Sequence, residues 1–74
     1  MASSENGSFL FDAGTQQKTI NLNNTYVNNI VIKITPVNSN INIYLTDVQN
    51  NYFIVEKSSN ESVTVNYIVI ESDT

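Results

Sequence analysis

Short runs in which apolar and polar residues alternate recur along the whole chain, and this period of two is typical of β-strands. Ile, Val and Thr dominate the runs, whereas Ala, Leu, Glu and Lys, which favour helices, are scarce. Asn, Ser and Gly separate one run from the next, as turn residues do. The runs comprise residues 8–12, 17–22, 29–36, 40–46, 51–57 and 62–72. The pattern predicts an all-β protein, a six-stranded antiparallel β-sandwich.

The chain is divided by composition into a short leader and one domain. Residues 1–7 are small and polar, so we expect a flexible N-terminal lead-in there and a single β-sandwich domain over residues 8–74. Pro36 has no N–H for ladder pairing and ends the third run. The short Asn- and Ser-containing segment after it predicts a hairpin between the third and fourth runs.

A domain of 74 residues has a small core. It buries only about 60% of the surface that the unfolded chain exposes, so its stability is marginal. With neither Cys nor His in the chain, disulfides and structural zinc sites are excluded as supports. Association with other copies or with a larger assembly is the remaining common source of stability.

The last run changes character along its length. It begins with apolar residues on one face only, but residues 67–70 (YIVI) are apolar on both faces. Two explanations remain open: the second face packs inside the same chain, with Phe9 and Phe11 covering part of it, or it is a subunit interface. The residues predicted to contact other chains are Phe9, Phe11, Tyr67, Ile68 and Ile70. The predicted core of one subunit consists of Ile30, Ile32, Ile34, Ile41, Ile43, Phe53, Val55, Val63 and Val65.

The residues needed for common enzyme chemistry are missing. Without His, Cys or Arg, no Ser-His or Cys-His nucleophile pair can form, and two glycines do not make a phosphate-binding loop. The seven carboxylates fall mostly in turns and near the ends, where charges are normally solvated, and Glu71 and Asp73 fit a solubilising tail. We therefore predict no catalytic residue, no metal site, no cofactor and no enzymatic activity.

The charge of the chain excludes further partner classes. Three separated lysines against seven acidic residues give a net charge of -4, which is unsuited to nucleic acid and to anionic membranes. No stretch approaches the ~20 apolar residues of a membrane-spanning helix, and the N-terminus lacks the features of a signal peptide. The sequence predicts a soluble chain without membrane insertion.

Tyrosines are the one candidate for ligand contact. Tyr44 falls on the polar face of its run with Asn42 and Asn40, a polar and aromatic stripe of the kind that binds carbohydrate. A half-buried Tyr that packs across a strand or interface is the alternative. Tyr26, which follows an Asn-rich bend, is expected at the surface.

Several segments carry a family resemblance when they are taken in order. An Ile-Thr-Pro strand end at residues 34–36 is followed by the runs at 43–48 and 52–55 and by the closing run at 63–70. In this order the chain from Gly14 to Ile70 resembles the six-stranded module of H-type lectins and the related small trimeric β-modules of bacteriophage fibres, spikes and other virion proteins. Tyr67 stands where that family often has Trp, and the His, Arg and Trp of its sugar-binding members are absent.

The resemblance implies a homotrimer in which the sheets pack around a threefold axis. It also implies a noncatalytic structural protein of a bacteriophage, either a trimeric tail-fibre module or a capsid decoration protein. Such a protein is made in the host cytoplasm and lies on the exterior of the virion, with a larger capsid or tail protein as a partner. The alternative implied function is a lectin-like host-attachment module that binds a surface glycan through Asn40, Asn42 and Tyr44.

Overall fold

Six strands form two antiparallel sheets in the computed structural model, which describes residues 4–37 and 39–72. The first sheet has the strand order β1-β6-β3, and the second has the order β2-β5-β4. The strands are β1 (Ser4–Phe11), β2 (Gln17–Asn21), β3 (Ile30–Pro36), β4 (Ile43–Val48), β5 (Tyr52–Lys57) and β6 (Val63–Glu71). The predicted all-β fold with six antiparallel strands is confirmed. No helix in the two described ranges is long and apolar enough to cross a membrane.

The inner faces of the two sheets share one core, in a sandwich-like arrangement. The central strands β5 and β6 supply most of it because every second residue of each points inward. The buried apolar residues are Phe11, Ile20, Tyr26, Ile32, Phe53, Val55, Val63, Val65, Tyr67 and Val69. Four residues predicted for the core, Ile30, Ile34, Ile41 and Ile43, are partly buried and pack against this cluster.

The connection between β3 and β4 differs from the prediction. These strands lie in different sheets, so the predicted hairpin is absent, and β4 begins at Ile43 rather than at residue 40. Pro36 ends the strand, but the N–H of Val37 still donates to the carbonyl of Thr64 on β6 at 2.8 Å. The chain therefore leaves the first sheet along β6 and crosses to the second sheet, where β4 contacts β3.

Strand β1 begins earlier than the sequence suggests. Ser4 to Gly7 pair with Ile70 to Tyr67, so residues 4–7 of the predicted lead-in belong to a strand of the first sheet. Residues 1–3 of the predicted lead-in lie outside the described residues. The small residue at position 7 has a structural reason, because a Cβ on Gly7 would lie 2.8 Å from the hydroxyl oxygen of Tyr67. Glycine allows the Tyr67 ring to lie against β1.

Lys57 at the end of β5 connects two turns from inside the fold. Only 2% of its surface is exposed, although lysine is rarely buried. Its Nζ donates to the carbonyls of Phe11 at 3.3 Å, Asp12 at 2.7 Å and Glu61. The ammonium also lies 4.7 Å from the centre of the Phe11 ring, within range of a cation–π contact. Lys57 thus ties the β1–β2 turn to the β5–β6 turn.

Two carboxylates hold the segment that links β2 to β3, residues 22–29. Glu5 accepts hydrogen bonds from the Tyr26 hydroxyl at 2.7 Å and from Asn23 and Asn24. Glu71 accepts from the N–H groups of residues 27 and 28. Glu71 is buried, which corrects its assignment to a solubilising tail; Asp73 lies outside the described residues. The reason is that orphan backbone N–H groups in the linking segment need an acceptor.

The hydrogen bonds to Glu5 make the free energy of unfolding depend on pH. Burial raises the pKa of Glu5, but the hydrogen bonds from Tyr26, Asn23 and Asn24 outweigh burial, and the pKa falls below its ordinary value of 4.5. The ionised form therefore stabilises the fold above the unfolded-state pKa, and this contribution is lost as the pH falls through the folded-state pKa.

The variant Glu5→Gln is expected to lower the free energy of unfolding by about 1 kcal/mol at pH 7. It should also flatten the decline of that free energy between about pH 5 and pH 3, since the titrating group is gone. Urea unfolding at a series of pH values measures both effects. Tyr26→Phe removes the strongest donor to the same carboxylate and should flatten the decline in part. If the free energy of unfolding declines equally steeply with falling pH in the unmodified protein and in both variants, Glu5 is not the group responsible.

Candidate association surface

The outer face of the first sheet carries an exposed apolar patch formed by Val31, Ile68 and Ile70. Val31 pairs with Ile70 across β3 and β6, and Ile68 is the next outward residue on β6. Their exposed fractions are 58% for Val31, 45% for Ile68 and 42% for Ile70. The outward residues of an antiparallel sheet are usually polar when that face meets water. Val31, Ile68 and Ile70, with Lys33 opposite Ile68, therefore form the candidate association surface of this sheet.

The patch continues into a shallow depression between β1 and β6. This depression has a volume of about 330 Å³ and is lined by Asn6, Gly7, Ser8, Asn66, Tyr67 and Ile68. Asn6, Ser8, Asn66 and Ile68 point outward from this part of the sheet, whereas Gly7 and Tyr67 belong to its inner side.

The outer face of the first sheet is also nearly free of charge. Its described outward residues are Asn6, Ser8, Leu10, Val31, Lys33, Thr35, Thr64, Asn66, Ile68 and Ile70. Lys33 is the one charged side chain among them, in a chain with a net charge of -4. Two copies that meet through this face therefore bring few like charges together.

The predicted interface residues separate into two groups. Phe11 and Tyr67 lie in the core of the single chain, with 0% and 8% of their surface exposed, which corrects their assignment to an interface. They face inward because they share the inner side of the sheet with Val65. Phe9 is half-buried, and its ring centre lies 6.2 Å from those of Phe11 and Tyr67. Ile68 and Ile70 point outward and remain exposed.

The exposure of Ile68 and Ile70 argues against the first explanation for the last run, packing of its second face inside the same chain, while the subunit interface stays a prediction. The neighbours β1 and β3 lie beside β6 in the same sheet rather than over its outer face. Phe9 and Phe11 belong to the inner side and do not cover that face. Among residues 4–37 and 39–72, no segment therefore covers the second side of residues 67–70.

The tyrosine stripe lies on the outer face of the second sheet. Tyr44 is 48% exposed, and its hydroxyl donates to Glu56 Oε1 at 3.3 Å. The other oxygen of Glu56 accepts from Gln17 Nε2 at 2.9 Å, so an aromatic ring, a carboxylate and an amide form one row across the sheet. Asn40 and Asn42 are exposed and precede β4. Sequence reasoning missed Glu56 and Gln17 because the strand pairing that aligns them is long-range.

Tyr26, expected at the surface, is buried with 3% of its surface exposed. Burial and the hydrogen bond to Glu5 raise the pKa of Tyr26 above 10.0. Its position follows from backbone contacts, because its N–H donates to the carbonyl of Asn50 at 2.9 Å and draws the loop over the end of the core.

Comparison with protein-family models, with curated proteins and with solved structures gave no significant match for this chain.

Proposed function

We propose that this protein is a noncatalytic structural module that assembles into a homotrimer through the outer face of its first sheet. The observation that carries the proposal is the exposed patch of Val31, Ile68 and Ile70 on an almost uncharged face. Burial of such side chains is favourable at about 25 cal/mol per Å² of apolar surface. A small domain without disulfides gains from it.

The proposed setting is a bacteriophage particle, with the protein on its exterior as a trimeric fibre module or a capsid decoration. The support for this setting is the sequence resemblance from Gly14 to Ile70 to trimeric β-modules of virion proteins. A threefold arrangement supplies the cover that the apolar half of β6 requires. A larger capsid or tail protein is the proposed anchor of the trimer.

Replacement of Ile70 by Lys tests the association surface. Ile70 is exposed in the single chain, so the variant is expected to fold, whereas burial of an unpaired ammonium at an interface is costly. We expect association to weaken by more than tenfold, which corresponds to about 1.4 kcal/mol. Sedimentation equilibrium over a range of protein concentrations measures the loss.

Thr19→Lys provides the matched control for this variant. Thr19 is exposed on the outer face of the second sheet, where the same charge change should leave association unaltered. Equal weakening in both variants would point to net charge rather than to the patch. Unchanged association in Ile70→Lys would remove the patch from the interface.

A second candidate function is binding of a host-surface glycan through the row of Tyr44, Glu56 and Gln17, with Asn40 and Asn42 beside it. The exposed Tyr44 ring next to hydrogen-bonding groups favours it. In a glycan-array screen, we expect any specific binding to disappear in Tyr44→Ala and to persist in Tyr52→Ala. Binding that survives Tyr44→Ala would exclude this row.

A further inference from the structure

The free edge of β1 (Ser4–Phe11) is a second element through which copies of this chain can join. Strand β1 lies at one end of the first sheet and pairs with β6 on one side only. Its other side presents the backbone N–H and C=O groups of an eight-residue strand. Unpaired strand edges serve as templates for other strands, and folded proteins usually protect them with charges, prolines, bulges or short length.

The three other edge strands each have such protection. Strand β3 carries the outward Lys33 and ends on Pro36, and it also contacts β4 across the sheets. Strand β2 has only five residues and includes Lys18. Strand β4 has a break in register between Leu45 and Asp47. These features disfavour the addition of a further strand at those edges.

Strand β1 lacks these protective features. It contains neither Lys nor Pro, and its register with β6 runs without a shift along the whole strand. Its single charge, Glu5, is turned to the 22–29 segment, where the Tyr26 hydroxyl donates to it at 2.7 Å. From residue 6 to residue 11 the edge is uncharged.

We propose that β1 pairs antiparallel with β1 of a second copy around a two-fold axis, so that two three-stranded sheets become one continuous sheet. The inference rests on the proposed role as an assembled module, but it uses the backbone of β1 and does not depend on threefold packing. A two-fold contact uses the same surface on both partners, and β1 is the unprotected edge of both.

Charge sets the direction of the pairing. When the two strands run antiparallel around their centre, the two Glu5 side chains lie toward opposite ends of the pair. A parallel pairing in register places them side by side, which is unfavourable for like charges. Ser8, exposed near the middle of the strand, then lies close to the two-fold axis.

Amide hydrogen exchange of the full chain, followed residue by residue with NMR, tests the pairing. In a lone edge strand every second N–H points away from β6 and exchanges fast, because N–H directions alternate along a strand. With both edges paired, we expect slow exchange at every amide from Glu5 to Phe11. Ser8→Lys sets like charges near the axis and should speed every second β1 amide by at least tenfold, while β6 amides stay slow. Ile70→Lys should leave the β1 pattern unchanged.

The mass measured on the same sample distinguishes the two proposals. Slow exchange at every β1 amide in a dimer or a hexamer supports the β1 pairing. A dimer would also exclude the proposed trimer, whereas a hexamer agrees with both proposals. Alternating protection overturns the β1 pairing, and leaves the proposed function standing if the mass is that of a trimer. Continuous protection in a trimer or in an open-ended aggregate assigns the edge to another contact and overturns the two-fold pairing. A monomer in which every second β1 amide exchanges fast would overturn both the β1 pairing and the proposed trimer.

Discussion

Replacement of Lys57 by Met is expected to lower the free energy of unfolding by about 3 kcal/mol. Met has a similar length but no donor, so the carbonyls of Phe11, Asp12 and Glu61 lose the ammonium that they share. The contact of the ammonium with the Phe11 ring is lost as well. Since a domain of this size has a total stability of only about 5–10 kcal/mol, the change is large. Thermal and urea unfolding followed by circular dichroism measure it.

Lys18→Met is the matched control for the Lys57 variant. Lys18 lies on the edge strand β2 and is only partly buried, so loss of its ammonium should change the free energy of unfolding by about 0.5 kcal/mol or less. If both variants unfold alike, the three carbonyls are satisfied without Lys57, and its role in joining the two turns is wrong.

Replacement of Phe11 by Ala is expected to cost about 4 kcal/mol, because the fully buried ring leaves a cavity that the sheets fill only in part. This result separates a core residue from an interface residue. If Phe11 contacted another subunit, the variant would remain folded as a monomer and lose only association. We expect instead that the free energy of unfolding, measured by urea unfolding followed by circular dichroism, falls and that a tenfold higher protein concentration does not restore it.

Two further variants keep the Phe11 experiment interpretable if Phe11→Ala does not fold. Phe11→Leu retains most of the volume and should cost about 1 kcal/mol. Ile68→Ala removes an outward side chain of the neighbouring strand and should leave the fold of the single chain nearly unchanged. A Phe11→Ala monomer with an unchanged free energy of unfolding would contradict the placement of Phe11 in the core.

The strands were predictable because they depend on local pattern, whereas their partners were not. Alternation identified the strand positions of Ile32, Phe53 and Val65 and the inward faces to which they belong. The pairing of β3 with β6 joins residues that are 29 to 41 positions apart, and nothing local distinguishes it from a β3–β4 hairpin. The start of β1 was missed because the polar residues that precede Phe9 gain their strand conformation from β6.

The roles of the buried charges were likewise beyond local pattern. Glu71 and Lys57 are the last residues of their strands, a position that usually meets solvent, and each is buried because a distant turn brings backbone groups that it can bind. The candidate surface was predicted in part. Alternation alone placed Ile68 and Ile70 on one face of the last strand, but Val31 joins them only through the β3–β6 register.

The claim that other copies of the chain cover the outward apolar face of β6 is tested most directly by the mass of the unmodified protein. Sedimentation equilibrium at micromolar concentration measures that mass. We expect a folded trimer with a mass of three times 8.3 kDa, or a hexamer with twice the trimer mass where β1 edges also pair. A single folded species of 8.3 kDa, with Ile68 and Ile70 left in water, would contradict it.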